Sequence, residues 1–277
     1  MPEVPRTPHA RHIVFSHANG FPSGCYRVLF EAWRAAGFEV HAIDKLGHDS
    51  AYPVTSNWPH LRQQLADFVQ ARVGEPVYLV GHSLGGFLSL MVASRFPALA
   101  RGVVLLDSPV LYGWKARTVQ VLKARGWIER VGPGRVSRRR RHRWESAAEV
   151  HRHFESKPVF ARWSKDVLAD YVASGTHTDA QGRSLSFDRA VETAIYNTLP
   201  HHIDALVRRH PPRCPVAFIG GSISREVRQV GMAATRRVTH GRVSVLEGGH
   251  LFPFERPGET AAEVLRWLAS FEQADAR

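Results

Sequence analysis

A serine within a glycine-rich run has the residue type and the setting of an enzyme nucleophile. Ser83 lies in the run GHSLGG at residues 81–86, between the apolar segment 77–80 and a helical pattern over 83–96. In this context a G-x-S-x-G sequence forms a tight strand-to-helix turn that presents the serine hydroxyl above a sheet. The helix that begins there directs free N–H groups and its positive dipole end toward developing negative charge. The run therefore predicts a nucleophile at Ser83, and the alternative is a glycine-rich loop with an inert serine.

His250 is the candidate base, because a serine hydroxyl is a weak nucleophile until a base accepts its proton. It ends the run GGH at residues 248–250, between a strand-like segment over 243–246 and a helical pattern over 259–271. A loop after that strand opens at the same sheet edge as the turn of Ser83, so we expect the two side chains to meet. His82 is expected to pack beneath the turn. Three further histidines are interpreted as structural, although the last two could face substrate: His17, His201 and His202.

Short strand-like runs alternate with longer helical patterns along most of the chain. The predicted strands are residues 12–16, 38–43, 77–80, 103–106, 215–219 and 243–246. The predicted helices are residues 23–36, 56–73, 83–96 and 259–271. Several strand runs are continuously apolar, which is typical of strands buried on both faces. The alternation predicts an α/β fold with a mostly parallel sheet covered by helices.

The alternation stops in the middle of the chain, where the pattern is helical. We predict that residues 110–212 form a helical cap insertion and that residues 1–109 and 213–277 form the core domain. The cap is expected over the carboxyl edge of the sheet, where α/β folds bind ligands. The basic run at residues 138–143 lies in this insertion and is interpreted as a solvated surface rather than a site for an acidic partner.

Composition excludes several classes of protein. With 277 residues, 44% of them hydrophobic and 22% charged, the chain can bury a core without disulfide bonds. No apolar run approaches the roughly 18 residues of a membrane span, and the N-terminal residues 1–6 lack the apolar core of a signal peptide. Cys25 and Cys214 have no metal-ligand spacing. We therefore expect no disulfide framework and no metal, and a cytoplasmic location.

The net charge of +12, from 37 basic and 25 acidic residues, is the one unusual number. Nucleic-acid binders often carry such a charge, but here no known module and no interleaved basic and aromatic surface accompanies it. We therefore predict a small-molecule substrate and no nucleic-acid partner. An RNA-associated protein that uses the arginine run is the alternative. The sequence leaves the oligomeric state open.

The motifs together resemble those of the α/β-hydrolase fold. The resemblance rests on GHSLGG, on the loop HANGFP at residues 17–22, on the turn DKLGH at residues 44–48 and on the GGH run. It covers most of the chain outside the insertion, and it implies a Ser–acid–His triad in that chain order. It also implies an oxyanion hole built from the Leu84 N–H and one N–H of the first loop. Matching the family's H-G-x-P to residues 19–22 favours Phe21, whereas alignment on His17 gives Asn19.

The position of the triad's acid departs from the commonest family pattern. That pattern places an Asp in a turn directly after the penultimate strand. That turn reads GGSISRE at residues 220–226 and contains no Asp. Some family members carry the acid after the strand that follows the nucleophile helix, and here that strand ends at Asp107. A carboxylate at the end of an apolar strand needs a partner, which the Nδ1–H of His250 would supply. Asp107 is therefore favoured over Glu226 and over the absence of a true acid.

With serine as the nucleophile, the resemblance implies acyl transfer to Ser83 and then to water, with no cofactor. We expect a carboxylesterase for small substrates, with Asn19, Trp114 and Tyr196 as possible substrate contacts. Capped relatives that open acyl-homoserine lactones, cleave ring-fission carbon–carbon bonds or eliminate pyruvate are the alternatives. A non-catalytic binding protein is a further alternative, but it would have no use for both Ser83 and His250.

Overall fold

The computed structural model describes residues 11–275, and the N-terminal segment for which no signal peptide is predicted lies outside this range. The strands within it are β1 (Arg11–Ser16), β2 (Phe38–Ala42), β3 (Val77–His82), β4 (Ala100–Leu106), β5 (Arg143–Trp144), β6 (Thr176–Asp179), β7 (Gly182–Leu185), β8 (Val216–Gly221) and β9 (Val243–Leu246). The helices are α1 (Arg27–Ala35), α2 (Pro59–Arg72), α3 (Leu84–Arg95), α4 (Gly113–Ala124), α5 (Ile128–Val131), α6 (Gly134–Arg139), α7 (Ala147–Glu155), α8 (Lys165–Ser174), α9 (Arg189–Asn197), α10 (Ile203–Arg209), α11 (Arg225–Val230), α12 (Ala233–Thr239), α13 (Phe252–Glu255) and α14 (Pro257–Asp275). None of the helices in this range is long and apolar enough to cross a membrane.

Six strands form a parallel sheet in the order β2-β1-β3-β4-β8-β9. All six correspond to predicted strands, and the predicted α/β class is confirmed. From β1 the chain adds β2 on one side of the sheet and then β3 on the other side. The loops after β1 and β3 therefore open into the crevice at the carboxyl edge of the sheet. Ser83 directly follows β3, which lies between β1 and β4 in the interior of the sheet.

Successive residues of the central strands point to opposite faces, and each face is covered by helices. Ile13 and Phe15 belong to one buried cluster together with residues of α1 and α14. Val14 belongs to a second cluster with residues of α2, α3 and α12. Burial on both faces explains why the strand sequences are continuously apolar rather than alternating.

The segment between β4 and β8 contains the seven helices α4–α10 and a small antiparallel sheet in the order β5-β7-β6. The sequence pattern predicts helices here, and the small sheet is an addition to that prediction. In the basic run, four arginines are exposed as expected, but the side chain of Arg140 is only 17% exposed. It pairs with Glu192, Nη1 to Oε2 at 2.9 Å, and donates from Nη2 to the Tyr171 hydroxyl.

Candidate active site

Ser83 occupies a strained turn between β3 and α3. Its φ of 52° lies in the left-handed region, which costs a non-glycine residue about 1–3 kcal/mol. The turn is held by the Ser83 N–H, which donates to the Leu106 carbonyl at 2.9 Å, and by the Ser83 carbonyl, which accepts from the Ser108 hydroxyl at 2.9 Å. The surrounding structure thus fixes a conformation that the local sequence alone would not favour.

The glycines of the GHSLGG run are required by close backbone approach. A Cβ on Gly81 would lie 2.2 Å from the backbone of Gly85, and a Cβ on Gly85 would lie 1.9 Å from the Ser16 carbonyl oxygen. A larger residue at either position would push α3 away from β1 and β3. The chain that leaves β1 therefore passes directly beside the amino end of α3, where the first N–H groups have no acceptor within the helix.

The structure brings Ser83, His250 and Asp107 together in one hydrogen-bonded row. His250 Nε2 lies 3.0 Å from the Ser83 Oγ, and its Nδ1 lies 2.7 Å from the Asp107 Oδ2. The carboxylate accepts the Nδ1–H, which leaves Nε2 free to accept the serine proton. Burial lowers the pKa of His250, but the hydrogen bond to Asp107 and the charges of Asp107 and Glu226 outweigh it, so the pKa lies above its ordinary value.

Asp107 is fully enclosed, with an unexposed side chain, and every carboxylate oxygen has a donor. Oδ1 accepts the Gly221 N–H at 2.8 Å, and Oδ2 accepts the Ser224 hydroxyl at 2.6 Å in addition to His250. Sequence reasoning does not identify Ser224, which stands in the turn that carries the acid in the commonest family pattern. Glu226, the alternative acid, is 46% exposed with Oε2 3.7 Å from His250 Nδ1, so it contributes charge rather than a direct hydrogen bond.

The first loop uses the N–H of Phe21, the predicted oxyanion donor, within its own turn. Ala18 to Phe21 form a turn closed by the Phe21 N–H, which donates to the Ala18 carbonyl at 3.1 Å. Gly20 has a φ of 84° at the third position of this turn, as a type II turn requires. The Phe21 N–H is thereby used within the loop, and its ring packs against Trp163, Tyr171 and Phe254. Asn19 precedes the glycine, and its N–H takes no part in closing the turn.

The predicted substrate contacts separate into two groups. Asn19 is buried, its amide donates to the Glu192 carbonyl at 3.0 Å, and it lies beside the hydroxyl of Tyr196. Burial and the charge of Glu192 raise the pKa of Tyr196, so this phenol stays protonated and can donate a hydrogen bond. Trp114 instead lies 72% exposed on α4, with its ring against Lys115. Of the two aromatic candidates, only Tyr196 stands next to the loop beside Ser83.

A buried relay connects the first loop to the loop of His250. The Ala18 N–H donates to the Tyr26 hydroxyl at 3.0 Å, and this hydroxyl lies 2.8 Å from His82 Nδ1. His82 Nε2 lies 2.9 Å from the His250 carbonyl. Burial lowers the pKa of His82 well below its ordinary value, so the neutral ring donates from Nε2 and accepts at Nδ1. The expected packing of His82 beneath the turn is confirmed, and its bridging contacts are an addition.

The Tyr26→Phe variant tests this relay. It leaves the buried Ala18 N–H and His82 Nδ1 without a partner, so we expect unfolding to become easier by about 1–3 kcal/mol. We also expect kcat at this site to fall by about tenfold with little change in KM, because both loops around Ser83 lose a hydrogen bond that fixes their position. Urea denaturation and steady-state kinetics measure the two effects. Tyr52→Phe, which removes an exposed hydrogen bond to Asp67, is the control; equal behaviour of both variants would contradict the relay.

Comparison with known sequences and structures identifies the family. A sequence model of the "Alpha/beta hydrolase family" matches residues 13–263. The chain belongs to this family. The match extends through the insertion between β4 and β8 and includes the motifs of Ser83 and His250.

Individual relatives of this alpha/beta hydrolase are distant. It is 43% identical over 53 residues to the chloroplastic pheophytinase of Arabidopsis thaliana, covering 19% of this chain and 11% of that protein. It is 33% identical over 100 residues to a probable esterase of Oryza sativa subsp. indica, covering 35% of this chain and 38% of that protein. A serine hydrolase-like protein of Dictyostelium discoideum is 24% identical over 261 residues, with 86% and 69% covered. The first two matches thus span well under half of their relatives.

Solved structures share the fold along nearly the whole chain. E-2-(acetamidomethylene)succinate hydrolase superposes with a TM-score of 0.70 at 20% identity, covering 94% of this chain and 92% of that chain. The enol-lactonase of Burkholderia xenovorans LB400 superposes with a TM-score of 0.63 at 16% identity, covering 95% and 93%. At these identities the likeness establishes the fold and leaves the reaction open.

Proposed function

We propose that this alpha/beta hydrolase is a serine esterase that cleaves carboxylic esters of small molecules through an acyl-enzyme on Ser83. The observation that carries the proposal is the pair of contacts made by His250, 3.0 Å to the Ser83 Oγ and 2.7 Å to the Asp107 Oδ2. A hydroxyl, a base and a buried carboxylate in this order form the arrangement that serine acyl transfer requires.

In the acylation half of the proposed reaction, Ser83 Oγ attacks the ester carbonyl carbon as His250 Nε2 accepts its proton. The carbon–oxygen bond to the leaving alcohol then breaks, and the imidazolium returns that proton to the alcohol oxygen. Asp107 stabilises the imidazolium and holds its Nδ1–H. In the second half, water takes the place of the alcohol: His250 accepts its proton, hydroxide adds to the acyl carbon, and Ser83 leaves protonated.

We assign stabilisation of the negatively charged tetrahedral oxygen to the N–H groups of Leu84 and Asn19. Leu84 begins α3, whose first N–H groups have no acceptor within the helix, and Asn19 sits on the loop that passes this helix end. Each donor of this kind contributes about 10²- to 10³-fold to kcat. The assignment replaces Phe21, whose N–H closes the turn with Ala18.

Residues 110–212 are proposed to act as a cap that shapes the substrate pocket. The segment reaches the site through α9, because Glu192 accepts from the Asn19 amide and Tyr196 lies beside that residue. A protonated Tyr196 could donate a hydrogen bond to a polar group of the substrate.

The decisive experiment measures both turnover and the covalent intermediate. Purified protein is assayed with the p-nitrophenyl esters of acetate, butyrate and octanoate, and it is separately treated with a fluorophosphonate. We expect ester hydrolysis with a preferred chain length, and one phosphonyl group on the peptide that contains Ser83 by mass spectrometry. Labelling elsewhere, or hydrolysis that continues after complete labelling, would overturn the proposal.

Protein that is labelled at Ser83 but does not hydrolyse these esters would place the reaction on another acyl or carbon–carbon bond. Lactones and carboxylate-bearing diketones are then the next substrates to assay. Absence of both labelling and turnover in folded protein would favour a binding role. These outcomes separate the ester proposal from the alternatives that the sequence leaves open.

The pH dependence follows from the environment of His250. Only the neutral imidazole accepts the serine proton, so kcat/KM should rise with pH through the pKa of His250, with a midpoint above the ordinary 6.5. Glu226→Gln removes a negative charge that raises this pKa, so its midpoint should move to lower pH. The profile is measured between about pH 5 and 9. Glu155→Gln makes the same change of charge on α7 as a control, and a Glu226→Gln midpoint that stays or rises would contradict the assignment.

A further inference from the structure

A second cluster of ligand-type side chains lies on the edge strand β2 and its neighbour β1. His12 Nδ1 is 3.2 Å from His41 Nε2 and 3.5 Å from the Glu39 Oε2. The Glu39 Oε2 is 3.8 Å from His41 Nε2. The backbone explains the convergence, because His12 and Glu39 are register partners in the sheet and Glu39 and His41 share a face at a spacing of two.

These separations match those of ligands that share one metal ion. Atoms bound to tetrahedral Zn²⁺ at 2.0–2.2 Å lie roughly 3.3–3.6 Å apart, close to the values among His12, Glu39 and His41. Two imidazole nitrogens and one carboxylate oxygen form a donor set of intermediate hardness. Such a set suits Zn²⁺ and neighbouring divalent transition metals better than Ca²⁺ or Mg²⁺. A fourth position would be left for water.

The cluster is accessible and partly preorganised. The side chains of His12 and His41 are 13% and 16% exposed, which limits their rotamers, while that of Glu39 is 62% exposed. His41 lines an open groove of about 420 Å³ at the sheet edge, which gives an ion a path from solvent. Arg34 and Arg72 line the same groove and would repel a dication. Both are exposed, so solvent and salt screen this repulsion, whereas the Glu39 carboxylate would contact the ion with a negative charge.

We propose that His12, Glu39 and His41 form a structural binding site for a divalent transition metal, and that Zn²⁺ fits it best. The ion would bind β2 to β1 through side chains as well as through the backbone ladder. The site lies apart from the hydrolytic centre: Ile13, next to His12, pairs with Tyr78, and Ser83 follows five residues further along β3, or about 16 Å of strand. Sequence spacing predicts no metal because the ligands come from two strands.

Zinc titration of the full chain after chelator treatment tests the proposal. Calorimetry should detect one bound Zn²⁺, and His12→Ala, His41→Ala and Glu39→Gln should each weaken its binding by at least about tenfold. Zinc at about 100 times its wild-type dissociation constant should raise the wild-type Tm by roughly 5 °C and the Tm of His41→Ala by at most about half as much. Without zinc, ester hydrolysis by His41→Ala should equal that of the wild type.

Two variants locate the ion. Asp107, Glu226 and His250 also bring ligand atoms within 4.8 Å of one another, so zinc could bind at the hydrolytic centre instead. His250→Ala should keep the calorimetric signal, as should His60→Ala, which removes an exposed histidine of α2. Binding lost in His250→Ala but retained in His41→Ala, or no binding at millimolar zinc, would overturn the proposal. The calorimetric and Tm outcomes do not depend on whether the protein is an esterase.

Discussion

Replacement of Ser83 by alanine should lower kcat for ester hydrolysis by about 10⁵- to 10⁶-fold. The variant loses the nucleophile, while the N–H groups proposed to bind the oxyanion and the pocket for the acyl chain remain. The affinity for the substrate should therefore change little, and the residual rate of hydrolysis should still exceed that in water by about 10³-fold. Turnover of p-nitrophenyl butyrate measures the loss of kcat. The dissociation constant of a product analogue shows whether the pocket is unchanged.

Ser89→Ala provides the matched control for this prediction. Ser89 lies on the same helix, α3, is fully buried, and its hydroxyl has no hydrogen-bond partner among the described residues. Removing that hydroxyl should leave kcat and the Tm close to those of the wild type. If Ser83→Ala still hydrolyses the ester within about tenfold of the wild type, Ser83 is not the nucleophile.

The fold was predictable from sequence because its core depends on repeated local patterns. Six apolar runs separated by helical patterns already require a covered parallel sheet, and all six are strands of one sheet. The small sheet between β4 and β8 was missed because its strands are short and polar, as in THTD at residues 176–179. Such strands exist through tertiary packing and leave no apolar period in the sequence.

The site was predictable only where its geometry is local. The turn of Ser83 and the loop of His250 are each recognisable from a few consecutive residues. Ser224 and Tyr26 could not be found in this way, because they contact Asp107 and His82 across 117 and 56 residues of sequence. The turn of the first loop has a usable sequence signal, because an Asn-Gly pair favours a turn that takes up the N–H of the residue after it.

Asp107→Asn is the second change with a large expected effect, because an amide cannot replace the carboxylate at its position. Oδ1 accepts from the Gly221 N–H, whose direction is fixed by the backbone, so the Asn oxygen must occupy that place. The Asn NH₂ then faces Nδ1 of His250, where Oδ2 now accepts. Nδ1 must become the acceptor and Nε2 must carry the proton, so His250 can no longer accept a proton from Ser83.

We therefore expect Asp107→Asn to lower kcat by about 10⁴-fold while KM and the Tm change much less. Glu226→Gln, which removes the more exposed carboxylate near the same imidazole, should keep kcat within about tenfold at alkaline pH, because Glu226 affects His250 through its charge alone. The reverse pattern, with Glu226→Gln nearly inactive and Asp107→Asn active, would make Glu226 the acid. Equal activity of both variants would mean that His250 needs no carboxylate, and the buried contacts of Asp107 would then serve only to join β4 to β8.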